Sequence, residues 1–585
     1  GINAEYGEMA QIEEFKNVQG GQYRCTVKNG KKHGPGKYCY PNGACYDGEW
    51  VDDLYSGTGR YTYPNGDEYT GEFKNNMKHG QGKFTSKETG ESYEGQWVED
   101  KRQGQGTYTY RSGDTYTGEW QDDLKNGKGV YKFKSGDEYV GEFKKDVFDG
   151  HGLYTCASGD RFEGTFKENR KIKGQLTTHN GDVFVGEYQN DVKFRGTINF
   201  ANGDFYEGPF KDDLPQGRGR ARFSGQDNYE GEFWQGRIHG EGVYTTSDQD
   251  VYTGQFEENQ KSGRGRLRYA DGDSYEGDFR NDLRHGNGVL ITKEGEFVGQ
   301  FVADKFDGNG RFVFTNGDEY EGQFRKGAKS GLGEYRFQNG DLYKGSWVDD
   351  QRVKGVYVFK NGDVYDGESQ AGVAHGKGVF KSKDGEFVGQ FENGQRKTGK
   401  MKLDNGEIYD GEFKNDKKHG MGVYKYKNGD EYEGEFADDL KQGKGKYITK
   451  ARDVYEGDFW QGKIQGKGVF KYCSGDQYAG DFVGGLKQGK GVYKYASGAV
   501  YDGDWKNDQF NGKGIYRYAN GDEYNGDWVE DQKEGFGVLK FGQSVYEGQF
   551  KLGRPHGRGK LTSQGGRIDE GNWNRGEFIE EGEVE

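Results

Sequence analysis

Tyr46-Asp47-Gly48-Glu49-Trp50, Tyr69-Thr70-Gly71-Glu72-Phe73 and Tyr93-Glu94-Gly95-Gln96-Trp97 are three successive statements of one five-residue pattern, Y-x-G-x-[FW]. The same anchor recurs from Tyr116 through Tyr546, giving 23 clear copies spaced 22 to 24 residues apart. Degenerate copies flank the series at Tyr23 and near Gly571-Asn572-Trp573. The central glycine is present in all 23, and the fifth position is aromatic in every copy but one, where Ser369 stands. A second pattern, G-x-G-x followed by an aromatic or aliphatic residue, trails each anchor, as in Gly80-Gln81-Gly82-Lys83-Phe84. A turn signal then closes the unit, as in Asn65-Gly66-Asp67 or Ser135-Gly136-Asp137.

Both patterns alternate with period two, which is the strand signature. Positions one, three and five of the anchor share one face of a strand, and that face reads aromatic–Gly–aromatic. In G-x-G-x-Y the same face reads Gly–Gly–aromatic, while the opposite face carries Glu, Thr, Gln, Lys and Asp. Glycine weakens an ordinary strand, but here it opens a slot in which a ring from a neighbouring strand can lie. The N-G-D and S-G-D segments supply the positive-φ positions of tight turns. Each repeat therefore reads as a two-stranded hairpin with one aromatic and one polar face. A lone hairpin is marginal in water, so the repeats must stack edge to edge. The expected fold is all-β: an extended, solenoid-like, single-layer antiparallel sheet, with about 24 repeats giving a twisted contour of roughly 230 Å.

The repeat resembles the MORN (membrane occupation and recognition nexus) family, whose signature is Y-x-G-x-[FW]-x-x-G-x-x-H-G-x-G. Tyr409-Asp410-Gly411-Glu412-Phe413 through His419-Gly420-Met421-Gly422 follows it, with Asp416 in place of the middle glycine. The resemblance covers nearly the whole chain. It divides the chain into a non-repeat N-terminal arm (1–21), an array of about 24–25 repeats (22–573) and an acidic C-terminal tail (574–585).

Composition limits the function. There are 106 glycines but 6 prolines, with no three-residue glycine period, which excludes collagen. Hydrophobic residues make up 30% and half of them are aromatic, which argues against disorder. A net charge of −15 disfavours nucleic-acid binding and weakens the case for anionic lipid. The five cysteines, with no C-x-x-C pair, are expected to be unpaired thiols of a reducing compartment. No apolar run of 18 residues exists. No cofactor or metal is expected: H-E-x-x-H, P-loop and EF-hand patterns are all missing, and seven of nine histidines fall at the H-G position of the repeat. The chain is expected to be a non-enzyme.

Three positions stand out as candidate partner contacts. Trp234 and Trp460 lie outside the regular aromatic positions, in Phe-Trp-Gln-Gly segments 226 residues apart within two similar blocks, 206–256 and 432–482. Tryptophan is favoured at interface hot spots; covering its own hairpin end is the plainer role. Ser369 interrupts the aromatic series. Four repeats lose the first glycine of G-x-G, at Ile172-Lys173-Gly174, Phe194-Arg195-Gly196, Val353-Lys354-Gly355 and Thr398-Gly399, and a bend near residues 160–210 is expected. Acidic pairs such as Asp52-Asp53, Asp122-Asp123 and Asp438-Asp439 are expected to be solvated turns, with calcium binding the sharper alternative.

What the resemblance implies is a structural scaffold. Domain-free MORN arrays resemble components of the ciliary axoneme, such as radial-spoke heads, and of cortical cytoskeletons. Partners would be other proteins, gripped in the aromatic groove or against the polar face. A homodimer or end-to-end assembly through open strand edges is also open. The alternative is a membrane-associated tether, which would require a basic, lipid-facing edge.

Overall fold

The structure, a computed structural model, describes residues 11–16 and 22–579. It divides into two units, Gly1–Lys293 and Glu294–Glu585. The described residues contain strands and turns and no helix, so no helix is long and apolar enough to cross a membrane. In each unit, consecutive strands pair antiparallel, as the sequence requires of stacked hairpins. Gln11–Lys16, inside the N-terminal arm, pairs with Gln22–Lys28, and Glu577–Ile579 pairs back onto Asn572–Asn574. Residues 1–10, 17–21 and 580–585, on which the rest of the arm and most of the acidic tail fall, lie outside the described residues.

One repeat shows why these residues fold this way. The anchor strand Ile408–Lys414 turns through Asn415-Asp416, both left-handed (φ 51° and 59°), into the return strand Lys417–Lys425. Tyr409 faces Tyr424 and Gly411 faces Gly422, but Phe413 then faces Lys418. His419, Gly420 and Met421 thus stand opposite Glu412 alone, in a bulge. Gly420 has φ 64°, a conformation that disfavours side chains, and this is why H-G precedes the bulge. The Glu412 carboxylate accepts the Met421 amide at 3.2 Å. The fourth anchor position is therefore almost always Glu, Gln or Asp: its side chain satisfies a bulge N–H that the ladder leaves unpaired.

The second glycine of G-x-G has a different task. A Cβ on Gly422 would come 2.4 Å from the Tyr409 ring, and one on Gly411 would come 2.5 Å from the Gly422 Cα. The two glycines let adjacent backbones and one ring share a space that no side chain could enter. The Tyr409 hydroxyl donates to the Glu412 carbonyl at 2.7 Å. Its ring meets Phe413 edge-on at 5.0 Å and Phe436 of the next repeat at 5.1 Å. Repetition of this step makes a herringbone of buried rings in which each hairpin is fastened to the next.

Turns at both hairpin ends are tied to their neighbours. The Asp430 carboxylate accepts the Lys450 amide at 2.8 Å with one oxygen and the Tyr447 hydroxyl at 2.6 Å with the other, reaching one repeat ahead. At the opposite end Asp439 accepts the Lys418 amide at 2.9 Å and returns its own N–H to the Lys418 carbonyl at 3.0 Å. Asp53, Asp123 and Asp350 do the same, and Asp213 accepts the Lys193 amide at 3.2 Å. The second member of each acidic pair is thus an exposed or half-exposed turn residue, as expected, and an inter-repeat staple as well. Among the described residues no cluster of three His, Cys, Asp or Glu is placed to hold a metal ion.

The four repeats without the first glycine prove to be one residue shorter in the bulge. Gly164 faces Gly174, Thr165 faces Lys173 and Phe166 faces Lys171, leaving only Ile172 extra. Phe194, Val353 and Lys397 are the corresponding single extras. None of these bulge residues takes a positive φ, so no glycine is needed. Two of the four also relax the fourth position, to Thr165 and Ser346.

The expectation of unpaired thiols fails for Cys39 and Cys45, which form a disulfide. They are opposed in register across the turn that joins their strands, a proximity that spacing by C-x-x-C rules does not capture. Cys156 and Cys473 are free.

Two outcomes test this account. Gly422→Ala should destabilise its repeat by about 1–3 kcal/mol or more through overpacking, and Gly420→Ala by about 1–2 kcal/mol through φ strain. Both losses should be read as hydrogen-exchange protection confined to the neighbouring hairpins. Hydrogen bonding holds several staple carboxylates below their usual range, from the Tyr357 hydroxyl at Asp341 and from the Lys87 amide at Asp67. Burial and the Asp341 contact push Tyr357 up to about 12. A depressed carboxylate contributes stability above its unfolded pKa of about 3.9, and a raised tyrosine does so below about 10. The melting temperature should therefore stay level between these limits. It should fall as pH drops below about 4 and again as pH rises above about 10; a maximum confined to one side would contradict the assignment.

Candidate interaction surfaces

The aromatic face does not offer its anchor rings to a partner. Tyr69, Tyr116 and Tyr432 are fully buried inside the chain. The second residue of the return strand closes them over. In four repeats it is a ring stacked directly on the anchor: Tyr55 on Tyr46, Phe148 on Tyr139, Phe306 on Phe297 and Phe510 on Tyr501, with centroids 3.7 to 4.1 Å apart. Elsewhere it is commonly a cation. Lys78 lies 4.7 Å from the Trp97 ring and Arg102 4.4 Å from that of Trp120. Burial pulls the Lys78, Lys125 and Lys441 ammonium groups below their usual pKa, against the pull of nearby carboxylates. Cation–π contact compensates part of that desolvation. The sequence signal for this roof is the lysine or arginine at the second position of the return strand, as at Lys78, Arg102 and Lys125.

Ser369 sits on this same face, half-buried and opposite Ala374. The herringbone loses one ring there. Tyr343 keeps its own Trp347 at 5.3 Å, and Tyr365 keeps Phe391 of the next repeat at 5.0 Å, but neither has a ring at 369. The guanidinium of Arg352 lies over Tyr343 and Tyr357 beside the gap and donates to the Gly372 carbonyl. Ser369 therefore stands half-buried beside Arg352 where the other repeats have a ring.

Trp234 and Trp460 are placed otherwise. Each is the last residue of its anchor strand, Asn228–Trp234 or Val454–Trp460, one step beyond the buried fifth-position ring, so each points to the polar face. They are 50% and 57% exposed, and among the described residues neither makes a ring contact or side-chain hydrogen bond. The seven other tryptophans are all buried. The two surroundings match closely. The turn after each is Gln-Gly, with the Gln235 and Gln461 amides donating to Gln216 and Gln442 at 3.0 and 3.1 Å. An exposed leucine from the preceding hairpin, Leu214 or Leu440, approaches the glycine of that turn. The two blocks recognised in the sequence therefore present one apolar doublet each, in separate units.

The polar face also carries a furrow of about 820 Å³ in the second unit, floored by backbone at Gly445, Gly457 and Gly468 and walled by Lys444, Lys467 and Lys490.

With this geometry in hand, the comparisons are direct. The model of the MORN repeat matches 21 segments between residues 26 and 566, more than half of the chain, and the chain belongs to the MORN-repeat family. The unmatched stretch 162–205 and residues 387–408 hold three of the four repeats whose bulge is one residue short. No curated protein matches the chain. Among solved structures, the TCP domain of Drosophila melanogaster Sas-4 bound to a proline-rich motif of Ana2 is 15% identical. That match covers 36% of this chain and 96% of that one, with a TM-score of 0.18. The TCP10 domain of Danio rerio CPAP is 13% identical over 41% and 91%, with a TM-score of 0.14. A streptogramin B lyase is 12% identical over 49% and 91%, with a TM-score of 0.10. Likenesses this slight carry no argument about function.

Trp234→Ala and Trp460→Ala should change stability by no more than about 0.5 kcal/mol, as exposed sites do. Trp505→Ala should cost about 3–5 kcal/mol by emptying a buried ring site. Ser369→Phe should restore the missing step and raise stability by about 1 kcal/mol, seen as slower exchange around residues 343–391.

Proposed function

We propose that the protein is a non-enzymatic scaffold of a cytoskeletal assembly, specifically of the ciliary axoneme, where it holds other proteins at fixed positions. The observation that carries the scaffold reading is the pair of matching Leu–Trp doublets on the polar face, which hold the only exposed tryptophans among the described residues. Isolated tryptophans exposed to this extent and left without an internal partner suit docking, and burying one against a partner supplies much of an interface's energy. Two equivalent doublets on two stapled units would give a partner two attachment points. The axonemal placement rests on the resemblance of domain-free MORN arrays to radial-spoke components.

The test is to express the tagged protein in a ciliated cell and compare it with the Trp234→Ala/Trp460→Ala variant. Under this reading the wild type stays with detergent-extracted axonemes, proximity labelling returns spoke or tubulin-associated proteins, and the variant is depleted at least several-fold. Release with the membrane fraction, together with sedimentation on anionic vesicles at physiological salt, would replace the reading with the membrane tether. Recovery in neither fraction would end the axonemal assignment while leaving the doublets as docking sites to be matched elsewhere.

A further inference from the structure

The polar face of the second unit contains a regularity that the repeat itself does not require. In four consecutive repeats the residue between the two glycines of G-x-G is lysine: Lys444, Lys467, Lys490 and Lys513. In the strand that follows each one, the fourth anchor position is Asp458, Asp481, Asp504 and Asp527, directly opposite in register. Lys444, Lys490 and Lys513 ion-pair with their aspartates, and their side chains are largely exposed. Each aspartate is also fixed by a backbone amide of the next bulge; Asp481, for example, accepts the Lys490 N–H at 3.1 Å. The result is a line of eight alternating charges, one per strand at about 4.8 Å spacing. Glu435 adds one more charge before Lys444, and the line stops where Met421 and Phe536 replace lysine on either side.

An alternating line of this period is complementary to another line of the same alternation and spacing, and the object that carries one is the line itself. Consider a two-fold axis parallel to the strands, between Gln477–Val483 and Leu486–Lys494. It reverses the order of strands while keeping each row at its level. Lys490 then meets Asp481 of a second copy, Lys467 meets Asp504, Lys513 meets Asp458 and Lys444 meets Asp527, each contact occurring twice. The flanking rows obey the same axis. Val483 (53% exposed) meets Leu486 (43% exposed) of the second copy. Ala479 meets Val492, and the exposed Leu440 meets the exposed Val529. Several pairs oppose the scheme: Lys463 meets Lys506, Asp502 meets Val469, Glu456 meets Ile515 and Lys471 meets Val500. Eight strands at about 4.8 Å by some 20 Å of strand give roughly 760 Å² per copy, the size of an ordinary stable interface.

We infer that this patch is an isologous homodimer interface, in which two copies of the chain join through residues 440–529. Exposed ion pairs contribute little energy alone. The aliphatic contacts supply the attraction, and the charge line fixes the register and direction and rejects other partners. The interface takes in Leu440 and Trp460, so pairing of two copies and docking of another protein at the second doublet compete.

The test uses the full chain and light scattering after size exclusion. The wild type should have twice the chain mass at 50 mM salt and micromolar concentration, and its dissociation constant should rise at least tenfold at 500 mM salt. Lys490→Glu places like charges against Asp481 of the other copy twice over and should give a monomer with an unchanged melting curve. Asp481→Lys should do the same, and the double swap Lys490→Asp/Asp481→Lys should recover the dimer. Because Asp481 also serves its own bulge, Leu486→Asp is the independent variant, and it too should be monomeric while folded. A wild type that is monomeric at low salt would overturn the inference. So would a dimer that survives both Lys490→Glu and Leu486→Asp.

Discussion

Everything in this fold depends on one close contact: two glycines on adjacent strands, with a tyrosine or phenylalanine ring laid across them. At Gly411 and Gly422 there is no room for even a methyl group. That forced absence of side chains lets the anchor ring lie flat against backbone and reach the fifth-position ring of the following hairpin. A single-layer sheet has no second layer to bury its apolar face against. The array solves this by folding the face onto its own backbone and running the rings together edge to face. The bulge is the companion constraint. It absorbs the mismatch between the return strand and the anchor strand, and it is why a left-handed glycine follows the histidine in so many repeats.

The fold was legible because its determinants are local and repeated. Period-two alternation announced the strands, Asn-Gly-Asp announced one turn, and glycines at ring level announced the close packing. Less legible was anything that depends on contact between residues about 20 apart. Asp439 reads as one of two solvated acids, yet it reaches back to the Lys418 amide. Lys78 reads as a surface charge and instead roofs Trp97. The aromatic groove expected from the pattern exists as a row of rings, but a ring or cation from the return strand closes it. Cys39 and Cys45 show the same limit: opposition across a turn is a fact of register, and composition had suggested free thiols.

The candidate contacts divided along physical lines. Trp234 and Trp460 were picked out for breaking the aromatic positions, and a one-residue step along a strand is what moves a side chain to the other face. Exposure follows from that step alone. Ser369 breaks the same pattern in place, on the inward face, where it removes one ring and leaves its neighbours' rings where they are. A departure in phase changes which face is decorated; a departure in size changes only local packing. The shortened bulges belong to the second kind, and three of those four repeats are the ones a model of the regular repeat passes over.

The staples at the two hairpin ends have a mechanical consequence. Each ties a turn to the next repeat and to nothing further away, and the strands run across the direction in which repeats accumulate. Tension applied along that direction within a unit would load the backbone ladders one strand at a time, by peeling, and not all together in shear. A unit would give way hairpin by hairpin, each step releasing about 23 residues of chain, and would re-zip against the repeat still in place. Extension would be graded and recoverable, the behaviour of a shock absorber more than of a strut.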